Sequence, residues 1–175
     1  NRCEDGFPDF IEGRIRDDRR LADLAYLPDL ARLESLLHRA YYAADDPPFD
    51  PTAFETAAGR FGAEALRPRA SAALALLASP HPVRAIRAAH LAGAGPREIG
   101  ATDGDWLVIH RPEWVVQVSA VTPERYGLLE AIRTGRCMGE LGEGGHPIED
   151  LGALVACGWV VRFDLPAAAR PASLG

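Results

Sequence analysis

Histidine and cysteine are the side chains most able to bind a metal ion or to attack a substrate, and this chain carries five of the first and three of the second. The residues are His38, His81, His90, His110, His146, Cys3, Cys137 and Cys157. No two histidines have the spacing of a helical zinc motif, and no C-x-x-C pair is present. No cysteine is matched along the sequence with a histidine and an orienting carboxylate. The sequence therefore predicts no metal site, no cofactor and no catalytic residue in this chain.

Two of the histidines are open to a different interpretation. His38 and His90 each lie on an otherwise apolar face of a predicted helix. A core histidine bonded to a backbone carbonyl is the commoner arrangement at such a position. Contact with a partner protein is the alternative.

The charge of the chain argues against a nucleic-acid partner. The sequence has 19 basic and 25 acidic residues, and its net charge is −6 at pH 7. Such a chain repels a polyanion and lacks the cationic surface whose counterion release drives nucleic-acid binding. No apolar run reaches the roughly 18 residues of a membrane span. Three cysteines form no even secreted framework, so we predict a cytoplasmic protein that binds no membrane.

Residues 1–95 are predicted to form a helical domain. Apolar residues recur at spacings of three and four from Pro28 to Ala44, which is typical of an amphipathic helix. Asp50 followed by Pro51 predicts the start of the next helix, because aspartate is a favoured N-cap and proline a favoured first residue.

The end of this predicted domain is less regular. The Ala/Leu run 70–78 fits either a helix or a buried extended segment, and its composition favours the helix. A further helix is predicted to end at Gly93. The segment 93–104 is rich in glycine and is predicted to be the linker between two domains.

Residues 103–165 have a different pattern. β-Branched and aromatic runs predict strands at 106–110, 114–119 and 159–163. Helices are predicted between the second and third strands, the last of them at 147–157. The order of these elements is that of a winged-helix-like module with a small antiparallel sheet. The predicted fold class is therefore α+β, with residues 166–175 as a loose tail.

A winged-helix-like module can bind either DNA or an extended peptide. The charged groups of its last helix are Glu149 and Asp150. Two acidic side chains are poorly suited to reading base edges in the major groove, where Arg, Lys, Asn and Gln make most of the contacts. An exposed strand edge beside an apolar groove accepts a peptide by β-strand addition. Peptide binding is the better fit to an acidic module with tryptophans in its strands. A DNA-binding regulator is the alternative, and no residue constellation supports a self-sufficient enzyme.

The predicted peptide site combines one strand with one helix face. The strand 114–119 is the favoured edge, although the other edge of the sheet is nearly as good a candidate. The helix 147–157 supplies the groove. The predicted binding residues are Trp114, Val115, Val116, Gln117, Val118, Ser119, Leu151 and Val155.

Several short blocks of the sequence resemble a known family. They are Gly6–Ile11, Leu24–Glu34, His38–Tyr41, Ser79–Val83 and Ala89–His90. In this order they resemble the HvfC/BufC family of peptide-modification chaperones, formerly described as a DNA-binding domain. That family is similar to the MbnC partner subunit of methanobactin biosynthesis. The resemblance covers roughly residues 6–163 and contains no catalytic signature.

The resemblance implies a non-catalytic companion subunit. Its partner would be a TIM-barrel, multinuclear non-haem iron oxidase that modifies cysteines in a ribosomally made precursor peptide. The oxidase would carry the iron, and this chain would hold the leader segment of the precursor, in a hetero-oligomer. Two features depart from the family. Only five residues precede Gly6, where such chains usually have a long helical region, and His81 and Arg87 stand where aromatic residues are expected.

The N-terminal helices are then expected to form the surface that docks on the oxidase. The predicted docking residues are Phe7, Phe10, Arg32, Glu34, His38, Arg39 and Tyr41. For the apolar members, packing in the core of the helical domain is an equally good interpretation. The charged members distinguish the two, because they are expected to be exposed.

Overall fold

The computed structural model describes residues 2–94 and 104–166, with side chains from residue 6 onward. The helices are α1 (Arg2–Asp17), α2 (Leu27–Tyr42), α3 (Pro51–Phe61), α4 (Val83–Leu91), α5 (Pro123–Arg133), α6 (Met138–Glu143) and α7 (Leu151–Ala156). The strands are β1 (Arg67–Ala70), β2 (Ala75–Ser79), β3 (Asp105–His110), β4 (Gln117–Ala120) and β5 (Val160–Asp164). Within the described residues, none of the helices is long and apolar enough to cross a membrane.

The chain divides into two compact units that differ from the predicted domains. The first unit combines residues 1–43 with 75–120, and the second combines residues 44–74 with 121–175. The predicted boundary at 93–104 is therefore wrong, because β2 and β3 lie on either side of it and pair with each other. Residues 95–103 of the predicted linker and 167–175 of the predicted tail lie outside the described residues.

The first unit is built on an antiparallel sheet in the order β2-β3-β4. Leu77 pairs with Leu107, and Ile109 pairs with Val118, so one face of the sheet is apolar. This face packs with Leu33 of α2 in a fully buried cluster. Because α2 has one apolar stripe and the sheet one apolar face, the two elements cover each other.

The second unit contains a two-stranded antiparallel sheet and the remaining helices. Arg67 of β1 pairs with Asp164 of β5. Across this pair of strands the Nε atom of Arg69 donates to an Asp164 oxygen at 2.6 Å. Burial raises the pKa of Asp164, but hydrogen bonds from Arg69 and Arg162 outweigh it and lower the pKa below its ordinary 3.8. The unit has its own core, whose fully buried members are Leu66, Leu128, Leu129, Ile132, Leu141, Leu154 and Val160.

The predicted α+β class is confirmed, but the predicted single sheet is wrong. The first two predicted strands of this module are observed as β3 and β4, and they pair as a hairpin with Pro112–Trp114 as a short 3₁₀ turn between them. The third predicted strand, 159–163, instead pairs with β1 in the second unit. The run 70–78, predicted as helix, ends in strand β2. Both errors arise from pairings between residues far apart in sequence, which local patterns do not encode.

Candidate functional site

Strand β4 is an outer strand of the first unit's sheet. Among the described residues it pairs on one side only, with β3, through residues 117–120. In an antiparallel ladder every second residue of an edge strand directs its N–H and C=O away from its neighbour. The predicted strand 114–119 is thus shorter than expected and shifted to 117–120, and it offers backbone donors and acceptors to an incoming chain.

The two faces of this edge differ in chemistry. Gln117 and Ser119 lie on the same face as His110, whose Nε2 atom is 3.0 Å from the Ser119 hydroxyl oxygen. Val118 lies on the opposite face, and it packs with Val116 against the buried cluster of the unit. An extended chain beside β4 therefore has Gln117 and Ser119 as its β4 neighbours on one face and Val118 on the other, although the first face also carries the fully buried Val108 opposite Ser119.

The turn that precedes β4 is strained and presents a tryptophan. Glu113 and Trp114 have φ values of 48° and 69°, in the left-handed region that side chains other than glycine rarely adopt. Trp114 is 71% exposed, so no burial of its ring offsets this conformation. Consecutive strained residues persist where the surrounding structure holds them, and they occur often at ligand-binding positions.

Arg111 holds this turn against the end of α2. Its guanidinium donates hydrogen bonds to the carbonyl oxygens of Tyr41 and Ala43, the second at 2.7 Å. The same guanidinium carbon lies 5.5 Å from the centroid of the Trp114 ring, within cation–π range. The sequence analysis did not single out Arg111, because the residues that it contacts lie about 70 positions away.

Exposed aromatic rings continue from this turn along the end of α2. The Tyr42 ring lies 4.8 Å from His38 and 4.9 Å from Tyr41, between ring centroids. We call His38, Tyr41, Tyr42 and Trp114 the aromatic surface. It joins two predicted docking residues to a predicted peptide-binding residue. His38 is exposed, so its interpretation as a core histidine is wrong, and the same holds for His90.

The strain at Glu113 leads to a stability prediction. Asparagine adopts the left-handed conformation more readily than glutamate, because its short side chain bonds locally to the backbone. We expect Glu113→Asn to raise the free energy of unfolding by about 0.5 kcal/mol. Urea unfolding measures the change. An equal loss of stability would show that the Glu113 side chain makes a compensating contact.

His110 makes the first unit sensitive to mild acid. Burial lowers the pKa of His110 below its ordinary 6.5. As pH falls through about 6.5, the unfolded chain therefore binds the proton before the folded chain does, and stability falls. We expect His110→Gln to reduce the loss of melting temperature between about pH 7.5 and about pH 5. An unchanged pH profile would contradict the assignment.

The predicted docking residues of α1 are exposed. Phe7 is 56% and Phe10 is 65% exposed, and α1 packs on α2 through its other face. Tyr41 is exposed as well, so these three aromatic residues do not form a common core as the alternative interpretation expected. Large exposed aromatic side chains on one helix are typical of an interaction surface.

The predicted charged docking residues differ from one another. Arg32 donates to Asp29 at 2.7 Å and to Glu12 at 2.8 Å, so it links α1 to α2. Its hydrogen bond and charge lower the pKa of Glu12 below 4.5. Glu34 accepts from Arg87 of α4 at 2.7 Å. Glu34 is exposed, as expected, whereas Arg32 is partly buried, and both take part in ion pairs between helices of the unit. Arg39 is exposed, as expected.

The predicted groove residues on the last helix lie in the second unit. Leu151 is 5% exposed and belongs to the core of that unit, while Val155 is partly buried. The expectation that Leu151 lines an open groove is therefore wrong for the free chain.

The second unit has a groove that the sequence analysis missed. It has a volume of about 710 Å³ and lies beside β5. The rings of Phe49, Phe54 and Phe163 line it and contact one another, with centroids 4.7–6.1 Å apart. Phe49 and Phe54 flank the helix cap at Asp50, which accepts from the Ala53 amide at 3.0 Å, as predicted. The third ring comes from the end of the chain, so no local pattern could indicate the groove.

The remaining candidates for chemistry are dispersed. Cys137 is half-buried and Cys157 is exposed, and both are free thiols. Across residues 2–94 and 104–166, no group of three or more His, Cys, Asp or Glu side chains is arranged to hold a metal ion.

Comparison with known proteins identifies no relative. No protein-family model, curated protein or solved structure matches this chain. The resemblance to the HvfC/BufC family therefore depends on the sequence blocks named above.

Proposed function

We propose that this chain is the non-catalytic partner subunit of a multinuclear non-haem iron oxidase. The oxidase modifies cysteines in a ribosomally made precursor peptide, methanobactin-like or otherwise related to copper. This chain binds the leader segment of the precursor by β-strand addition in the cytoplasm. Iron belongs to the TIM-barrel oxidase, and the two proteins form a hetero-oligomer.

The observation that carries the proposal is the open edge of β4. Backbone pairing requires an unpaired strand edge, and among the described residues the outer side of strand 117–120 pairs with no other strand. The two faces of the strand are unlike, since one carries Gln117 and Ser119 and the other carries Val118. Such an edge favours one register of a bound extended peptide, because a shift by one residue would move every side chain of the peptide to the opposite face.

The exposed rings of α1 support the docking half of the proposal. Phe7 and Phe10 are separated by one turn of helix and are both more than half exposed. Arg32 holds α1 in place through Glu12 and Asp29, so the rings are carried by a helix that is fixed to its own unit. A fixed apolar pair loses less freedom on binding than a mobile one.

Three of the sequence blocks behind the resemblance meet inside the first unit. Asp29, from the block 24–34, accepts a hydrogen bond at 2.8 Å from the hydroxyl of Ser79, from the block 79–83. Asp9, in the first block, lies 3.5 Å from Arg32. These blocks are therefore parts of one structural arrangement, which supports treating them together.

Co-purification tests the proposal. The first step is to look beside the gene for a TIM-barrel protein and a short cysteine-containing reading frame, because their absence would contradict the proposal. The tagged chain is then expressed with both. We expect a complex that contains the oxidase and its iron, and we expect Phe10→Asp to abolish it. Leu91→Asp is the matched control, because Leu91 is equally exposed on the same unit and is assigned no role. A complex that survives Phe7→Asp together with Phe10→Asp would refute docking through α1.

A further inference from the structure

We infer, on the basis of the proposed function, that the segment bound at β4 alternates apolar and polar residues and places a bulky apolar side chain against Trp114. The first part of this inference follows from the register of the sheet. The second follows from the turn that leads into it.

The alternation follows from the two faces of β4. A chain paired with this strand directs successive side chains to opposite faces of the sheet. On one face its neighbours are Val116 and Val118, which pack against the buried cluster with Ile109. On the other face its neighbours are Gln117 and Ser119. Side chains beside the valines extend the apolar face, so a charge there would be placed against apolar groups.

The bulky residue follows from the position of Trp114. β4 is only four residues long, so a longer paired segment continues past Gln117 beside the turn. The indole there is exposed and is held by Arg111, which is itself bonded to the end of α2. The cation–π contact and the left-handed backbone at Trp114 restrict the orientation of the ring, which lowers the entropy that it loses on binding. Trp114 is therefore the specificity residue of the site.

An aspartate scan of the peptide tests the alternation. The probe is a fluorescein-labelled synthetic peptide of the N-terminal half of the short cysteine-containing reading frame that the proposed function places beside the gene. Each position in turn is replaced by aspartate. We expect affinity to fall by about tenfold or more at every second position of the paired segment and to change little between them. Losses at consecutive positions, or at none, would overturn the inference.

A pair of protein variants tests the role of Trp114. Trp114→Gly removes the ring and also suits the left-handed backbone, so the variant is expected to fold. We expect its affinity for the labelled peptide to fall by about tenfold or more, as is usual for an anchoring tryptophan. Leu91→Ala, at an equally exposed apolar position, is the matched control and should bind like the wild type. Unchanged affinity of folded Trp114→Gly would overturn the specificity role.

The outcomes separate this inference from the function on which it rests. If the labelled peptide binds the wild type but shows no alternation and no dependence on Trp114, the inference fails and leader binding stands. If the peptide does not bind the wild type at all, both fail.

Discussion

Replacing Gly104 with alanine is expected to lower the free energy of unfolding by at least about 3 kcal/mol. Gly104 has a φ of +87°, and a Cβ atom added there would lie 2.3 Å from the carbonyl oxygen of Ser79 and 3.0 Å from the Cα atom of Pro80. Both neighbours are backbone atoms at the end of β2, so they cannot rotate away. Chemical denaturation of the purified variant measures the loss.

Gly93→Ala is the matched control for this prediction. Gly93 has a similar φ of +76°, but no atom lies within 4 Å of the position a Cβ would take. Only the conformational cost applies there, and we expect a loss of about 1 kcal/mol. Equal losses at the two glycines would show that the close approach of Gly104 to β2 does not contribute.

Replacing Asp29 with alanine is expected to cost about 2 to 3 kcal/mol of unfolding free energy. Asp29 is 9% exposed and accepts from Ser79 at 2.8 Å and from Arg32 at 2.7 Å. The Ser79 oxygen in turn accepts from the amide of His81 at 3.0 Å. Alanine at position 29 leaves the buried Ser79 hydroxyl without its acceptor and removes one of the two short ion pairs of Arg32, which keeps Glu12 as a partner. Urea unfolding measures the effect.

Asp29→Asn separates the hydrogen bond from the charge. The amide oxygen still accepts from Ser79, whereas the ion pair with Arg32 is lost. We therefore expect a loss smaller than that of alanine, by about 1 kcal/mol. If alanine costs less than about 0.5 kcal/mol, the network does not hold α2 to β2.

Local signals in the sequence predicted the helices well. The α3 start at Pro51 follows from the Asp50 cap, and the α5 start at Pro123 follows from Thr122, whose hydroxyl accepts from the Arg125 amide. Helix α2 was predicted at 28–44 and is observed at Leu27–Tyr42. Caps and apolar spacing act over a few residues, so the sequence displays them directly.

Long-range pairing explains what the sequence could not predict. Alanine and leucine favour helices, yet the second half of the run 70–78 forms β2, because Leu77 pairs with Leu107 and faces the buried cluster. Strand β1 contains Pro68 between two arginines and has no strand signature. It forms because β5 supplies a partner from the end of the chain.

Only part of the candidate site was predicted, because the rest depends on contacts between residues far apart in the sequence. The hairpin and its Trp114 are local features and were found. The contact of Arg111 with the end of α2 was not predicted, because it joins residues about 70 positions apart. This contact places the aromatic surface next to β4. The prediction that Leu151 lines an open groove on α7 was wrong because Leu151 is buried in the core of the second unit.

Binding of the leader to proline variants of β4 tests the central claim most directly. Gln117 and Val118 are consecutive, so one of them directs its N–H away from β3 and the other directs it toward β3. Proline at the outward position removes a donor from the incoming chain only, and proline at the inward position breaks the sheet.

The measurement is the affinity of the labelled N-terminal peptide for each variant, taken beside its melting temperature. We expect one of Gln117→Pro and Val118→Pro to stay folded and to lose about tenfold or more in affinity, while the other unfolds at a lower temperature. Gln117→Ala, which keeps the backbone donor, should bind within about twofold of the wild type. A folded proline variant with wild-type affinity, or a wild-type chain that binds no such peptide, would contradict strand addition at β4.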